Sequence, residues 1–420
     1  MCRLVECVAL AGLTLPVKTQ VRLLDSLDDS VKHPLSGISL SAVAGLRALL
    51  VGYFPVSSSG PSDRLHARVL QKYVKILTTE DNAAATRGFA LALGCLPAKL
   101  LAFDAGALRA AVGALCDCAA EDRKVGEEPD AETRRNCVTA LTEVVRTVGV
   151  GEARVASVAG TDGKELRTVG LDSAMTARVF DTLFACMEDY SMDKRGDVGS
   201  WVRCAALLGL EAAALEAVRG SEGLRTAEED LEGGEEEVLP GLEERLKTFV
   251  GDDVEQKVMA CVGGGKPMRE DWAEWSPPAR YFDVPTAVKM LGLILKQLAE
   301  KLDNVRDLAG NILSRLLNDK RIPCVADRVI LVEALRSCSD VAMNWASPGV
   351  TFGMIVKAMN IDSYHAPIVE GLVVSVGGLT ESVVKSSSAA LLDWMKTMKK
   401  LKGWRHLARL GRTLLGIMER

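Results

Sequence analysis

The sequence contains few aromatic residues, few histidines and no long uninterrupted apolar run. Aromatics make up 5% of the 420 residues, and the four histidines are scattered at positions 33, 66, 365 and 406. Scattered histidines disfavour a histidine-rich metal centre. No apolar run reaches the ~20 residues that a membrane-spanning helix needs, so no membrane insertion is predicted. The net charge of −5 means that the chain lacks the excess of basic residues typical of nucleic-acid-binding proteins, and no nucleic-acid partner is predicted.

The cysteines do not form the pattern of a disulfide framework. Their number, eleven, is odd, and Cys186, Cys204 and Cys338 lie within apolar helical patterns. Buried free thiols in a reducing compartment fit this usage, which predicts an intracellular protein. Cys116 and Cys118 have no second pair to complete a zinc site, and the apolar stretch Val8–Leu15 lacks a signal-peptide cleavage site.

Helical periodicity dominates the remaining sequence. Hydrophobic residues make up 48% of the chain, and the segment Asp283–Leu302 places seven of them on one broad helical stripe, with Pro285 where a first helical turn tolerates proline. No extended stretch alternates apolar and polar residues as a half-buried strand does. The predicted fold class is therefore all-α.

A weak internal repeat accompanies the helices. Several helices carry an arginine, then a small or apolar residue three positions later, then a leucine, with an acidic residue upstream. The sets are Asp81, Arg87, Ala90 and Leu93; Asp130, Arg135, Val138 and Leu141; Asp197, Arg203, Ala206 and Leu210; and Asp303, Arg306, Ala309 and Leu313. The acid can cap a helix or pair with an arginine. The arginines are 48, 68 and 103 residues apart, so only the first interval fits a HEAT-type repeat of ~40–47 residues. The other intervals require insertions, and the fold predicted is a HEAT/armadillo-like α-solenoid of stacked helix pairs.

Three interruptions divide the predicted solenoid. Val148–Thr168 is glycine-rich and polar, Ser221–Leu239 holds eight acids against one arginine, and Gly263–Pro278 contains GGGK, WAEW and SPP. The predicted organisation is helical repeats at 1–147; a loop followed by the RGDVGSWVR repeat at 148–220; an acidic, disordered insertion at 221–239; and C-terminal repeats ending in a basic capping helix at 240–420.

Recognised catalytic motifs are missing from the sequence. Gly263–Lys266 lacks the spacing of a phosphate-binding loop, and neither a Gly-x-Ser-x-Gly elbow nor a His-Glu-x-x-His helix occurs. The acidic run matches no calcium-binding loop. A binding protein with no cofactor and no active site of its own is predicted, rather than an enzyme.

Arg195-Gly196-Asp197 forms a charged turn ahead of a helix that begins near Trp201. Integrin recognition would need an extracellular loop, which the cysteine usage disfavours. Two interpretations remain: a turn that only joins two helices, with Asp197 paired to an arginine and Ser200 as N-cap, or a partner surface with Arg195 or Trp201 as an exposed anchor. The candidate partner-binding residues here are Arg195, Asp197, Trp201 and Arg203.

Four segments closely resemble the tubulin-folding cofactor D family. The most specific is EDYSMDKRGDVGSWVR at 188–203, joined by TRGFALALGCLP at 86–97, KLDNVRDLAGNIL at 301–313 and YHAPIVEGLVVSVGGLTESVVKSSSAALLDWM at 364–395. They keep family order from about Thr86 to Met395. The resemblance covers the C-terminal part of the longer family members, so a fragment of a longer protein is expected.

The resemblance implies a HEAT- and armadillo-like chaperone that handles β-tubulin after its release from the chaperonin. In the family, cofactor D works with cofactor E and an ARF-like small GTPase, and with cofactor C it stimulates GTP hydrolysis by tubulin. A cytoplasmic, microtubule-associated GTPase activator acting on its partner's nucleotide is the expectation. The alternative is a generic HEAT-repeat scaffold or adaptor for another client.

The segment Met395–Arg420, here called the basic end, carries eight basic residues against one acid, Glu419. Trp404 and the leucines interleaved with these charges, with Trp394 just before the segment, predict an amphipathic helix. One interpretation is a capping helix with a solvated basic face; another is a surface for the acidic tails of tubulin. RNA or an anionic membrane would suit the same charge, but no nucleic-acid motif accompanies it. The candidate partner-binding residues are Lys399, Lys400, Lys402 and Arg405.

Overall fold

The computed structural model describes residues 2–57, 60–61, 64–79, 82–120, 130–151, 154–159, 165–228, 281–319, 322, 328–335, 343–378, 380–402 and 404–419. The chain divides into two compact units, Met1–Leu224 and Arg225–Arg420. The GGGK–WAEW–SPP segment and Cys338 lie outside the described residues.

Helices of the first unit stack in two rows. One row contains α1 (Cys2–Leu10), α3 (Ser36–Tyr53), α5 (Ala83–Gly94), α8 (Ala131–Val148) and α10 (Gly199–Glu228). The other contains α2 (Val17–Val31), α4 (Arg64–Thr79), α7 (Ala105–Ala119) and α9 (Ser173–Cys186), with the short α6 (Ala98–Leu101) ahead of α7. Neighbours pack within each row and between rows, so the apolar stripe of each helix is buried against other helices.

The sequence offset between stacked helices gives the length of the repeat. Tyr53 of α3 donates to the Val8 carbonyl of α1 across 45 residues, Tyr73 of α4 donates to Asp28 of α2 across 45, and Asn136 of α8 donates to the Arg87 carbonyl of α5 across 49. These offsets agree with a HEAT-type repeat. The prediction of an all-α, HEAT-like stack of helix pairs is confirmed.

The offset rises after α8 because an insertion intervenes. Arg109 and Asp172, and Asp117 and Arg178, join α7 to α9 across 63 and 61 residues. The segment predicted as a loop at 148–168 forms an antiparallel hairpin there, β3 (Arg154–Ala159) with β4 (Glu165–Thr168). Two further two-stranded hairpins occur, β1 (Val56–Ser57) with β2 (Gly60–Pro61), and β5 (Met192–Asp193) with β6 (Gly196–Asp197). The valines at 155 and 158, followed by Gly-Thr-Asp-Gly, are the sequence signal for β3–β4 that the search for longer alternation missed.

Buried arginines join the start of one helix to the end of the helix before it. Arg134 donates to the Ala119 carbonyl, Arg203 to the Asp189 carbonyl, and Arg306 to the Glu300 and Lys301 carbonyls. Arg328 donates to the Leu316, Leu317, Asp319 and Ile322 carbonyls. Each guanidinium satisfies carbonyls that a helix C-terminus leaves without intrahelical partners.

The arginine that binds the preceding helix end lies one position earlier in α8 than the predicted repeat placed it. The buried arginine at the start of α8 is Arg134 and not Arg135, whose guanidinium contacts the neighbouring Asn136 side chain. Both roles predicted for the upstream acid are present at Asp130, which accepts from the Glu132 amide at the start of α8 and pairs with Arg87. Asp81 lies outside the described residues.

The second unit repeats the helical architecture. Its helices are α11 (Val284–Leu298), α12 (Asp303–Asn318), α13 (Arg328–Leu335), α14 (Pro348–Ala358), α15 (His365–Val376), α16 (Glu381–Lys402) and α17 (Trp404–Met418), with a 3₁₀ turn at Asp362–Tyr364. Pro285 lies in the first turn of α11 as the sequence predicts, and Asp283 caps the helix, which ends at Leu298 and not Leu302. The backbone of α15 approaches α11 closely, since a Cβ at Gly371 would lie 2.4 Å from the Lys296 carbonyl oxygen.

The predicted boundary at 220/221 falls inside a helix. α10 continues to Glu228, within the acidic segment predicted as an insertion. The rest of that segment, 229–239, lies outside the described residues. At the basic end, the single predicted amphipathic helix is two helices, because α16 ends at Lys402 and α17 begins at Trp404.

Two features bear on compartment and reactivity. Among the described residues, α3 is by length and composition apolar enough to cross a bilayer, and 33% of that stretch is buried. It packs against α1, α2 and α5 and buries Leu46, Leu49 and Leu50. Cys116, Cys118 and Cys186 are buried thiols outside any disulfide, while Cys204 is partly exposed. Burial raises the pKa of the Cys95 and Cys186 thiols to about 12, so both stay protonated near neutral pH.

Candidate partner-binding site

The hairpin β5–β6, here called the RGD turn (Met192–Asp197), joins α9 to α10. Gly196 has φ +104, a conformation that side-chain-bearing residues rarely adopt. The Asp193 carboxylate accepts from the Arg195 backbone amide at 2.6 Å and from its guanidinium Nε at 2.9 Å. The turn is therefore fixed by its own backbone and charges before any partner is considered.

An interior ion pair fixes the end of the turn to α10. Both guanidinium nitrogens of Arg203 lie 3.2 Å from the two oxygens of Asp197, and the exposed fractions of these side chains are 0% and 7%. The Arg203 guanidinium also stacks 4.2 Å from the Tyr190 ring centroid. Asp197 and Arg203 thus hold the RGD turn from inside, in a geometry that gives a bidentate pair its strength.

Asp197 also begins α10. Its Oδ1 accepts from the Ser200 amide at 3.0 Å, while the Ser200 hydroxyl donates to the Asp197 carbonyl at 2.6 Å. The capping acceptor predicted at Ser200 is therefore Asp197. Gly199 allows the start of α10 to approach Asp189 after α9 closely, because a Cβ at position 199 would lie 2.4 Å from the Asp189 carbonyl oxygen.

Behind the turn lies a second buried ion pair that the sequence did not reveal. Arg134 of α8 lies 2.6 Å from Asp189, whose carboxylate is fully buried. The other Asp189 oxygen accepts from the Ser191 amide at 3.0 Å. Because Arg134 also reaches the end of α7, two successive helix pairs, α7–α8 and α9–α10, meet behind the RGD turn. Positions 134 and 189 are far apart in the sequence, so the pairing becomes visible only in the folded structure.

The outer face of the turn combines an aromatic ring with a chain of alternating charges. The Arg195 guanidinium lies 4.9 Å from the Trp201 ring centroid, and both side chains reach the surface. Arg195 pairs with Glu132 at 2.8 Å, and the other Glu132 oxygen pairs with Arg87 at 2.7 Å. Hydrogen bonds to Asp193 and then Glu132 raise the pKa of Arg195 above its usual value, so its charge is permanent. This Arg195–Trp201 surface is pre-organised, with an aromatic and an arginine of the kinds that anchor protein interfaces.

Asp130 extends the charged chain to the start of α8. Burial acts to raise its pKa, but hydrogen bonds from Arg87 and Thr133 outweigh burial, and the pKa is lowered overall. Asp130 is therefore ionised at neutral pH and holds Arg87 at 2.6 Å. The charges on three successive helix pairs are linked through Arg87, Glu132 and Arg195.

A separate polar cluster lies between α2 and α4. Tyr73 and Lys72 donate to the two oxygens of Asp28 at 2.7 and 2.6 Å. Desolvation raises the Asp28 pKa despite both donors, and burial likewise raises the pKa of Tyr73. Each polar group in the cluster has a partner, which is the arrangement expected of an interior network that joins two helices.

The basic end places its candidate residues on α16 and α17. Lys399, Lys400 and Arg405 are exposed, and the Lys399 ammonium lies 5.1 Å from the centroid of Trp404. Lys402 is the last residue of α16, and its side chain lies outside the described residues. Arg409 differs from these residues because Asp362 holds it. Its guanidinium pairs with the Asp362 carboxylate and also donates to the Asp362 carbonyl at 2.9 Å. The RGD turn lies in the first unit and the basic end in the second.

Comparison with known families finds a match within the second unit. Residues 288–420 match the family model described as Tubulin folding cofactor D C terminal. The matched stretch, residues 288–420, is here called the cofactor D domain. This cofactor D domain contains two of the four resembling segments, 301–313 and 364–395, and the basic end. The resemblance drawn from those segments is confirmed.

A relative extends the likeness beyond the cofactor D domain. Over 384 residues the chain is 22% identical to "Tubulin-specific chaperone D" of Dictyostelium discoideum. That alignment covers 89% of this chain and 22% of the relative. The chain therefore spans about a fifth of the length of the relative that it matches.

Proposed function

We propose that this chain is a region of a tubulin-folding cofactor that binds β-tubulin after its release from the chaperonin. The observation that carries the proposal is the cofactor D domain at residues 288–420, in a chain similar to a protein named as a tubulin-specific chaperone. Stacked helix pairs suit such work, since they offer long surfaces to a protein client. The region acts as a binding protein and not as an enzyme.

The finer parts of the proposal concern partners. Cofactors E and C and an ARF-like small GTPase act with the region, and GTPase activation occurs at tubulin's own nucleotide. The region works in the cytoplasm and associates with microtubules through its client. It needs no cofactor and no nucleic acid, and it does not insert into membranes.

We assign the first contact with β-tubulin to the Arg195–Trp201 surface. Arg195 is 45% exposed even though it is ion-paired, so its guanidinium and the Trp201 ring present a rigid surface to a partner. Asp197 and Arg203 are buried and contribute by positioning that surface. Rigid anchors bind more tightly than mobile ones because less side-chain entropy is lost on binding.

Arg195→Ala with Trp201→Ala is expected to weaken capture of purified tubulin by tenfold or more, since aromatic and arginine anchors dominate binding energy. Circular dichroism should show unchanged helicity, because neither side chain is fully buried. Arg109→Ala is the matched control: Arg109 is an exposed arginine, 60% accessible, that pairs with Asp172 at the start of α9, whereas the RGD turn follows the end of that helix.

Three outcomes distinguish the possibilities. Full capture by a folded double variant removes the Arg195–Trp201 surface from the proposal. Unfolding of the double variant makes the turn structural and ends the claim of a contact. Failure of the unaltered chain to capture tubulin, with recovery of a different client, supports a generic HEAT scaffold instead.

We assign a second, electrostatic contact to Lys399, Lys400, Lys402 and Arg405, facing the acidic tails of tubulin. Lys399→Glu with Lys400→Glu should slow tubulin capture several-fold at low salt and have little effect at high salt, because long-range attraction is screened there. Stopped-flow association rates measured across a salt series give this comparison. Equal association rates for the unaltered chain and the Lys399→Glu/Lys400→Glu variant at low salt would refute the electrostatic contact.

A further inference from the structure

Helix α17 buries one face and presents a second apolar face to solvent. Leu410 is buried, while the exposed fractions of Trp404, Leu415 and Met418 are 70%, 60% and 82%. Large apolar side chains exposed on one stripe of a helix mark an interaction surface more often than isolated ones do.

The spacing of the exposed stripe is that of a helix-pairing seam. Its members alternate steps of four and three residues: Trp404, Ala408, Gly411, Leu415 and Met418. This is the a/d spacing by which one helix packs against another with knobs-into-holes contacts. We call these five residues the α17 seam.

Gly411 at the middle of the α17 seam has no role within the described fold. A Cβ added there would meet no atom within 4 Å, whereas one at Gly88 or Gly94 would strike a neighbouring helix at 2.1 or 2.6 Å. A mid-helix glycine weakens a helix relative to alanine. Together with Ala408, it leaves a notch that a second helix backbone can approach closely.

Positive charge borders the α17 seam along one side. Arg405 and Arg412 each follow a seam residue by one position, which is where a pairing helix places its flanking charges. Within the part of the chain that the structure describes, neither arginine has a carboxylate partner, whereas Arg409 between them pairs with Asp362. Lys399 adds a further cation over the Trp404 ring.

We infer that the α17 seam is a docking site for an amphipathic α-helix of a partner protein whose apolar stripe is flanked by acidic residues. The seam spacing specifies a helix, the notch at Ala408–Gly411 sets its closest approach, and Arg405 and Arg412 specify acidic flanks. A membrane surface would favour a broad apolar face over a narrow 3.5-residue seam. This site goes beyond the proposed function and does not depend on tubulin being the client.

The test uses the whole chain and a designed, fluorescently labelled helical peptide with leucine at a and d and glutamate at e and g. Binding is read by fluorescence anisotropy. The acidic peptide should bind at least tenfold more tightly than the same peptide with lysine in place of glutamate, and the difference should shrink at high salt. Arg405→Glu with Arg412→Glu should reverse the preference.

Two further variants separate docking from folding. Leu415→Asp with Met418→Asp should abolish peptide binding, while Leu40→Asp, at a leucine of similar exposure in α3 (55%), should leave it unchanged. Gly411→Gln should raise the melting temperature by removing a mid-helix glycine and yet lower peptide affinity, a pair of opposite effects that a purely structural glycine does not produce.

Other outcomes would overturn the inference. Equal affinity for acidic and lysine peptides, or unchanged binding by the Leu415/Met418 variant, refutes the seam. Tight binding to phosphatidylserine vesicles without peptide binding reassigns α17 to a membrane. Self-association in sedimentation that the Leu415/Met418 variant abolishes, with no peptide binding, reassigns it to a second copy of this chain.

Discussion

Replacing Arg203 with methionine is expected to destabilise the first unit by about 3–5 kcal/mol. Methionine keeps much of the aliphatic volume but removes the charge, which leaves the Asp197 carboxylate, 7% exposed, without its cation. It also removes the hydrogen bond to the Asp189 carbonyl and the contact with the Tyr190 ring. A buried carboxylate without a partner is costly because the interior cannot replace its lost hydration.

Hydrogen exchange followed by mass spectrometry measures this effect unit by unit. Peptides from α8 and α10 should lose protection in the Arg203→Met protein, while peptides from α11 and α15 should keep theirs. Arg195→Met, eight residues away in the RGD turn, supplies a control, and its exposed position predicts little change in stability. Equal protection in the two variants would show that the Arg203–Asp197 pair does not stabilise the fold.

Replacing Arg306 with methionine should have the corresponding effect on the second unit, with a loss of about 3 kcal/mol or more. The Arg306 side chain is fully buried and donates to the Glu300, Lys301 and Ala346 carbonyls at 2.9, 2.9 and 2.6 Å. These bonds join the end of α11 and the start of α14 to α12. Each buried carbonyl that loses its donor retains a desolvation cost, and the costs are large because methionine offers no donor.

The controls for Arg306→Met come from the same domain and from the other unit. Arg412→Met removes an exposed arginine of α17 and should leave exchange in α11 and α15 unchanged. Protection in α8 and α10 should also be unaffected if the units unfold independently. A thermal and urea stability equal to that of Arg412→Met would refute the assigned role of Arg306.

The sequence predicted the helices more completely than it predicted the hairpins. Period-3.6 patterns such as 283–302 extend over several turns, so the signal accumulates and predicts α11 almost to its ends. The β3–β4 hairpin has no comparable length. Its strands are six and four residues long, too short for alternation to stand out.

The sequence showed that arginines recur at the starts of helices, but it did not show which of two adjacent arginines is buried. At position 203 and position 306 the sequence-derived repeat selected the buried arginine. At 134–135 it selected the wrong member of an adjacent pair, because both residues fit the spacing within one position. Burial distinguishes them, and burial depends on how α8 packs against α7 and α9.

The RGD turn shows the same limit for a candidate site. The sequence supplied Arg195, Asp197, Trp201 and Arg203 as one group, and it left open whether the turn is structural or partner-binding. The structure divides the group, with Asp197 and Arg203 inside and Arg195 and Trp201 at the surface. It also adds Glu132, Arg134 and Asp189, which no local pattern connects to the turn.

The sequence by itself determined the helical class, the cofactor D resemblance and the opposite charges of the acidic segment and the basic end. These properties depend on periodicity, on contiguous motifs and on composition, all of which act over a few neighbouring residues. The tertiary structure alone decided which arginines are buried, which carboxylates Arg87 and Arg195 meet 43 and 63 residues away, and which face of α17 is covered. Such pairings depend on how helices stack, because packing brings together groups whose separation along the chain carries no local signal.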